Sequence, residues 1–441
     1  MKNFSLIIYI FAVGITATLM LGCSNNEQFL SDELENVVTN ELQLRSHENY
    51  ESGTVGLSLT REEAIALRVK QKGTYRITES EAMQTLNRFA ESESRSVNIQ
   101  VKSTSLKKSP TTGKDMYYEV VFESEKGSGF SLVSADERLD DLLCFVENGS
   151  LKDSLINPGL QFYLPLLQHY IDEMLNTELE IEALVLSARN KQTTINRNDE
   201  YNAVTLRNIP VFDPNTWTYS HQYVLNLGAL TTKTVPVKWG QNSPFNVVKD
   251  PTGCSTVAAT QVMAYWRKNY KSIVTSTFQW NAMIADIYHS TIPVLMADVY
   301  SNLYWSFLSI PPFMSDIRSF LISNGYSCGS VESGYSFNVL KSALQKGPTI
   351  ISGMNTIFNG HFWVVDGVDD RRTQTFEVWT YNYNGKILEY HLLISDYGSD
   401  RVQFNWGLHG VDDGWFASGV LTAPYNGNNY HLNVRIISSI Q

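Results

Sequence analysis

The chain has 441 residues, 43% of them hydrophobic and 18% charged, with a net charge of −11. This is long enough for two or three domains and too apolar for disorder over any large fraction, which needs low hydrophobicity and high charge. The acidic balance also argues against a nucleic-acid partner, because non-specific affinity for phosphates rests on Lys and Arg, and no basic stripe runs through the sequence.

Residues 1–22 read as a signal peptide. Lys2 gives a positive start, Phe4 to Leu21 is largely apolar, and Met20-Leu21-Gly22-Cys23 closes the run. A basic start, an apolar stretch and small residues at the break are the marks of secretion. The break before a cysteine resembles the lipobox of bacterial lipoproteins, in which that cysteine is acylated and becomes the new N-terminus. The resemblance implies lipid attachment at Cys23, a membrane partner and a place in the bacterial cell envelope, with the outer membrane as the expected one. A single retained spanning helix is the alternative, since the apolar run is near the length needed. Polar Ser24-Asn25-Asn26 fits the lipoprotein better. Residues 23–56 are acidic and polar, as expected of a flexible tether.

A first domain is expected over residues 57–186. Thr60, with Glu63 three residues on, predicts a capped helix start, and Ser80-Glu81-Ala82 opens a second helix carrying Ala82, Leu86 and Phe89 at helical spacing. Tyr117–Phe122, Gly129–Ser134 and Leu142–Val146 read as strands, and Phe162 to Leu184 is apolar at helical spacing. This is a compact α+β set with no evident catalytic residue. Apolar residues then almost vanish, so residues 187–208 read as an exposed linker and the expected site of a maturation cleavage. A second domain is expected over residues 209–441.

There are four cysteines, Cys23, Cys144, Cys254 and Cys328. With Cys23 lipidated, an odd number remains, which in an exported protein points to a free thiol. Cys144 and Cys328 lie in different domains and apolar contexts, as buried thiols do rather than a bridge. No Cys-x-x-Cys or His-x-x-x-His occurs, so no metal site and no cofactor is expected.

Pro251-Thr252-Gly253 blocks a helix, and Val257, Ala258, Gln261, Val262, Tyr265 and Trp266 then fall on one helical face. Cys254 is thereby placed at a helix N-terminus, where the macrodipole and free N–H groups stabilise a thiolate. Alone, a cysteine opening an apolar helix is more often a core residue. A nucleophilic cysteine needs a base, and the base an orienter. Gly360-His361 precedes the apolar run Phe362-Trp363-Val364-Val365-Asp366-Gly367, so His361 sits at a strand start; alone, it reads equally well as a hydrogen-bonded structural histidine. A further strand carries Asn405, whose side chain can accept the imidazole N–H, and Trp406, which can shield that bond from water.

Pro-Thr-Gly-Cys254 with its helix, Gly-His361 with Phe-Trp-Val-Val-Asp-Gly, and Asn405-Trp406-Gly together resemble the streptopain (C10) family of papain-like cysteine peptidases. Lys238-Trp239-Gly240-Gln241 and Pro244-Phe245-Asn246 are similar to its entry segment. Gly129 to Asp136 is similar to its propeptide. The resemblance implies an α+β fold: a papain-like domain, with a helical half bearing Cys254 and a β-rich half bearing His361 and Asn405, behind a small α+β prodomain that acts as an intramolecular inhibitor. It implies a cysteine endopeptidase acting on protein or peptide substrates. Cys254 is then the nucleophile, His361 the base and Asn405 the orienter. The Cys254 N–H and the Gln241 amide are the oxyanion donors, each worth about 3 kcal/mol. Two departures stand out: Ser255-Thr256-Val257-Ala258 replaces the usual Val-Ala-Thr-Ala, and Leu408-His409 follows Trp406-Gly407 where the family has Trp-Gly. The alternatives are a transglutaminase-like acyl transferase, or an inactive papain-fold surface binding protein.

Overall fold

The computed structural model describes residues 59–92, 97–195, 212–246, 252–270, 278–304, 312–356, 359–383, 385–422 and 434–441. The expectations for Cys23, the signal peptide and the acidic tether lie outside these residues, as does the linker beyond residue 195.

Two helices open the N-terminal region with the same local device. Before α1 (Arg61–Lys72), Thr60 Oγ1 accepts the Glu63 N–H while the Glu63 carboxylate accepts the Thr60 N–H. Thr78 and Glu81 repeat this exchange at α2 (Glu79–Ala90). Each box satisfies donors that the helix itself leaves open. An antiparallel meander follows, β1 (Gln100–Lys108), β2 (Asp115–Ser124), β3 (Gly127–Ser134) and β4 (Leu142–Val146). Met116, Tyr118, Val120 and Phe122 are all buried while the residues between them are half-buried, the period of two of a strand with one packed face.

Asn157 caps α3 (Pro158–Asn176), accepting from the Gly159 and Leu160 N–H groups. The short segment 177–180 separates α3 from α4 (Ile181–Gln192), so the apolar run over 162–184 is divided between two helices. The polar stretch from Ser187 is regular as far as Ile195. It finishes α4 and forms β5 (Thr193–Ile195), which pairs with the later strand β12 (Lys386–Tyr397). Backbone pairing, which composition does not report, orders these residues.

The C-terminal region begins with β6 (Thr218–Leu227) and β7 (Leu230–Thr232). Among the described residues four helices follow, α5 (Cys254–Trp266), α6 (Trp280–Ala285), α7 (Thr291–Leu303) and α8 (Met314–Ser323). Then come β8 (Val331–Ser333), α9 (Phe337–Leu344), β9 (Thr349–Thr356), β10 (Asn359–Asp369) and β11 (Arg372–Tyr383). After β12 the chain closes with β13 (Arg401–Asn405), β14 (Gly414–Ala417), α10 (Gly419–Thr422) and β15 (Arg435–Ile437). The class is α+β.

Among the described residues one sheet runs β1-β2-β3-β4-β14-β13-β10-β9-β15-β8, with β7 also on β10, and a second runs β5-β12-β11-β6. The larger sheet is continuous across both regions, because β4 pairs with β14, setting Phe145 opposite Trp415 and Cys144 opposite Phe416. Leu59–Ala188 and Thr193–Gln441 accordingly form one compact unit. Charged side chains add to the seam. Asp141 accepts from Arg401, from Ser399 Oγ at 2.7 Å and from the Gly398 N–H at 3.1 Å, and Arg68 joins Glu137 to Asp396. Buried charges of this kind persist only when paired.

β10 divides two cores by its alternation. Trp363 and Val365 pack with Leu160, Phe162 and Tyr163 of α3, whereas Phe362 and Val364 pack with Val257, Ala258 and Val262 of α5. This two-sided burial explains the unbroken apolar run after His361.

Candidate active site

Cys254 is the first residue of α5. Gly253 before it adopts φ 87°, and a Cβ there would lie 2.2 Å from the Tyr304 hydroxyl, so both backbone and space require glycine. That hydroxyl accepts from Ser255 Oγ at 2.9 Å. Burial pushes the Cys254 thiol up, and the N–H groups of Phe362, Ser255 and Cys254 itself pull the other way without overcoming it. The helix N-terminus expected from the sequence is present, but desolvation outweighs its help to a thiolate. The Phe362 amide belongs to β10, next to His361, so the sulfur lies against the strand that carries the histidine.

His361 is 3% exposed. It shares the α3 face of β10 with Trp363, its ring lying nearly parallel to the indole at 5.9 Å. Its Nε2 is 2.8 Å from the Trp406 carbonyl oxygen. A carbonyl only accepts, so Nε2 carries the proton and Nδ1 keeps the lone pair. Burial lowers the imidazole pKa to about 4, the Trp406 carbonyl acting weakly the other way. Among the described residues no hydrogen bond joins His361 to Cys254 or to Asn405.

Asn405 ends β13, opposite Val364 of β10. Its Oδ1 accepts the Gly407 N–H at 3.1 Å, and its Nδ2 is buried without a partner. The imidazole is thus oriented by the backbone of Trp406 where the Asn405 side chain was expected to do it. The Trp406 indole is fully buried with Trp363, Phe404 and Phe416 around it. The Trp406 backbone N–H donates to Asp413 Oδ1 at 2.8 Å, and Lys238 Nζ donates to Asp413 Oδ2 at 2.8 Å. Gln241 reaches the site through its backbone. Its carbonyl accepts from the N–H and the hydroxyl of Thr252, two residues before Cys254, and Gln241 lines a cavity of about 360 Å³.

The N-terminal region covers the histidine side of this constellation. A Cβ at Gly159 would lie 2.2 Å from the Trp406 ring and one at Gly353 would lie 2.5 Å from Phe162, so α3 presses directly on the indole and on β9. Asn157 Nδ2 donates to Asp412 Oδ2 at 2.8 Å. Asp412, Asp413, Tyr304 and Phe162 were not singled out from the sequence. The pair Asp412-Asp413 was visible there, but nothing in its spacing tells which carboxylate serves which region. Among the described residues no group of three His, Cys, Asp or Glu is placed to hold a metal ion.

Residues 74–171 match the family described as Spi protease inhibitor. This agrees with the resemblance of the N-terminal region to a streptopain-family propeptide. No curated protein matches the chain. Among solved structures it is similar to a fragment of Prevotella intermedia prointerpain A carrying a cysteine-to-alanine mutation, at 17% identity and a TM-score of 0.42, over 77% of this chain and 98% of that one.

Proposed function

We propose that the chain is the zymogen of a cysteine endopeptidase whose N-terminal region, about residues 57–186, restrains the catalytic region, about residues 209–441. One observation carries this reading. The Cys254 thiol opens a helix against β10 beside His361, while the imidazole is held on the opposite, α3-covered face with its Nε2 proton fixed. Thiol and imidazole are both kept neutral there, the first raised and the second lowered by burial. A thiolate–imidazolium pair needs the reverse shifts.

Removing α3 uncovers His361 and lets its Nδ1 reach the sulfur. Cys254 Sγ then attacks the peptide carbonyl as Nδ1 takes the thiol proton. The oxyanion is held by the Cys254 N–H and the Gln241 amide, and the proton passes to the departing amine. Water, deprotonated by the same nitrogen, cleaves the thioester and restores the thiol. Asn405, whose Oδ1 is engaged by the Gly407 N–H in the precursor, takes up the orienting role by accepting the imidazole Nε2 N–H at that oxygen. A cut in residues 187–208 separates the regions. Acylation of Cys23 ties the restraining region to the cell envelope, so the same cut frees the enzyme; a Cys23→Ala precursor is expected to leave the membrane fraction while still maturing.

The test compares the purified precursor with its Cys254→Ala variant under reducing conditions, following chain cleavage and casein hydrolysis. Self-trimming and casein digestion by the parent alone support the proposal. Equal behaviour of the two proteins, in a sample where an added protease has removed the N-terminal region, refutes it.

A further inference from the structure

Asp412 is fully buried, sits at φ 60°, and among the described residues has partners of one origin only. Its Oδ2 accepts from Asn157 Nδ2 at 2.8 Å, its Oδ1 accepts from the Ser150 N–H at 3.1 Å, and its own N–H donates to the Asn148 carbonyl at 2.8 Å. A Cβ at Gly149 would lie 2.0 Å from Oδ1, so the backbone of that loop is closed over the carboxylate. All four residues belong to the N-terminal region. Its neighbour Asp413 is the opposite case, held by Trp406 and Lys238 of its own region.

The same carboxylate lines the cavity of about 360 Å³ that Gln241 faces. From the catalytic region the walls are Gly240–Ser243, Phe245, Leu408, His409, Val411 and Asp412; from the N-terminal region they are Asp153, Ile156 and Asn157. Once the latter are gone, Asp412 is the only carboxylate among the described residues of the lining. Lys238 of the catalytic region is committed to Asp413. Burial raises the Asp412 carboxyl to about 6 against the pull of the Asn157 and Ser150 donors. At neutral pH it is therefore an anion satisfied only by the region that is to be removed.

We propose that Asp412 determines specificity at a subsite next to Gln241, where the mature enzyme takes an arginine or lysine side chain of its substrate. The loop 148–157 fills that place in the precursor with two N–H donors. The apolar walls Phe245, Leu408 and Val411 suit the aliphatic stem, and the carboxylate receives the charged head. This inference rests on the peptidase reading of the site.

The experiment uses enzyme matured from the full chain, with peptides in which Arg, citrulline, Leu and Glu are moved in turn through the positions flanking the scissile bond. The expected result is one position, close to that bond, where Arg exceeds citrulline and Leu about tenfold in kcat/KM and Glu is worst. In Asp412→Asn enzyme the Arg-to-citrulline ratio there falls to near one. The citrulline comparison needs no variant, so it decides even where Asp412→Asn does not fold. Cleavage of the neutral peptides with no position favouring Arg over citrulline overturns the subsite and leaves the peptidase reading standing. An Arg preference that survives in Asp412→Asn assigns it elsewhere and also overturns the subsite. A matured chain that cleaves none of the peptides overturns both.

Discussion

Gly159→Ala is the most informative single change, because two general effects oppose each other there. Alanine favours a helix over glycine by about 1 kcal/mol, so an unencumbered α3 would gain from it. The new Cβ, however, would lie 2.2 Å from Cε3 and 2.3 Å from Cδ2 of Trp406, where ordinary contact begins at 3.4 Å. Helix or ring must therefore give by roughly 1 Å. The ring has nowhere to go, since Trp363, Phe404 and Phe416 stand at centroid distances of 5.0, 4.9 and 5.3 Å. Overpacking of this kind costs ~1–3 kcal/mol, which exceeds the helical gain and leaves a net loss near 1 kcal/mol. A loss of that size raises the population of open precursor several-fold. Urea denaturation in a Cys254→Ala background should show a lower midpoint, and the parent sequence carrying Gly159→Ala should trim itself faster. A midpoint equal to or above the reference, with unchanged trimming, would refute the direct packing of α3 on Trp406.

His361 supplies a pH test. Its folded pKa of about 4 lies below the ordinary 6.5, so protonation favours the unfolded chain, and its share of stability is intact above pH 7 and lost as pH falls through 6.5 towards 4. In the Cys254→Ala precursor, the stability difference between His361 and His361→Gln should shrink by about 3 kcal/mol from pH 8 to pH 4. The same difference at both pH values would show that the imidazole is not buried neutral. Asp366 and Asp412, both raised to about 6, titrate alike in the two proteins and cancel. Arg401→Met strands the Asp141 carboxylate, which Arg401 helps to hold below its usual range despite burial, and should cost about 3 kcal/mol. Adding Asp141→Ala should then cost less than it does alone; additive losses in the double-mutant cycle would deny the pairing. Asp413→Ala removes the acceptor that holds the Trp406 N–H. It should lower kcat/KM of the matured enzyme about tenfold, and a value unchanged within error would dismiss that support.

Local chemistry made the elements around the candidate catalytic residues legible. The Thr60/Glu63 box, the strand over Leu142–Val146 and the helix opening at Cys254 are each specified by neighbours within a few residues, and they stand where the sequence puts them, whereas the second helix begins at Glu79 on a Thr78 cap, just ahead of the Ser80 opening expected. What could not be read depends on partners distant in the chain. Ser187–Ile195 looks like a linker because only pairing with β12 orders its end. The side of β10 that His361 takes follows from a two-fold alternation whose meaning appears only when α3 and α5 are known to lie on opposite faces. The Trp406 carbonyl has no signature in sequence, since every residue has one, and so the Asn405 side chain was the only visible candidate for holding the imidazole.

The ladder between β4 and β14 bears on what a cut in the chain achieves. Severing the backbone leaves the two pieces zipped by hydrogen bonds, with Trp415 and Phe416 still inside the sheet. Nicking and shedding are then separate events, and the second depends on dilution. On the proposed zymogen reading, the shed piece retains the strand that fits, so a concentrated enzyme would be re-silenced by its own debris. Without β4 beside it, Gly414–Ala417 becomes a bare apolar rim, a template on which any extended chain can add itself.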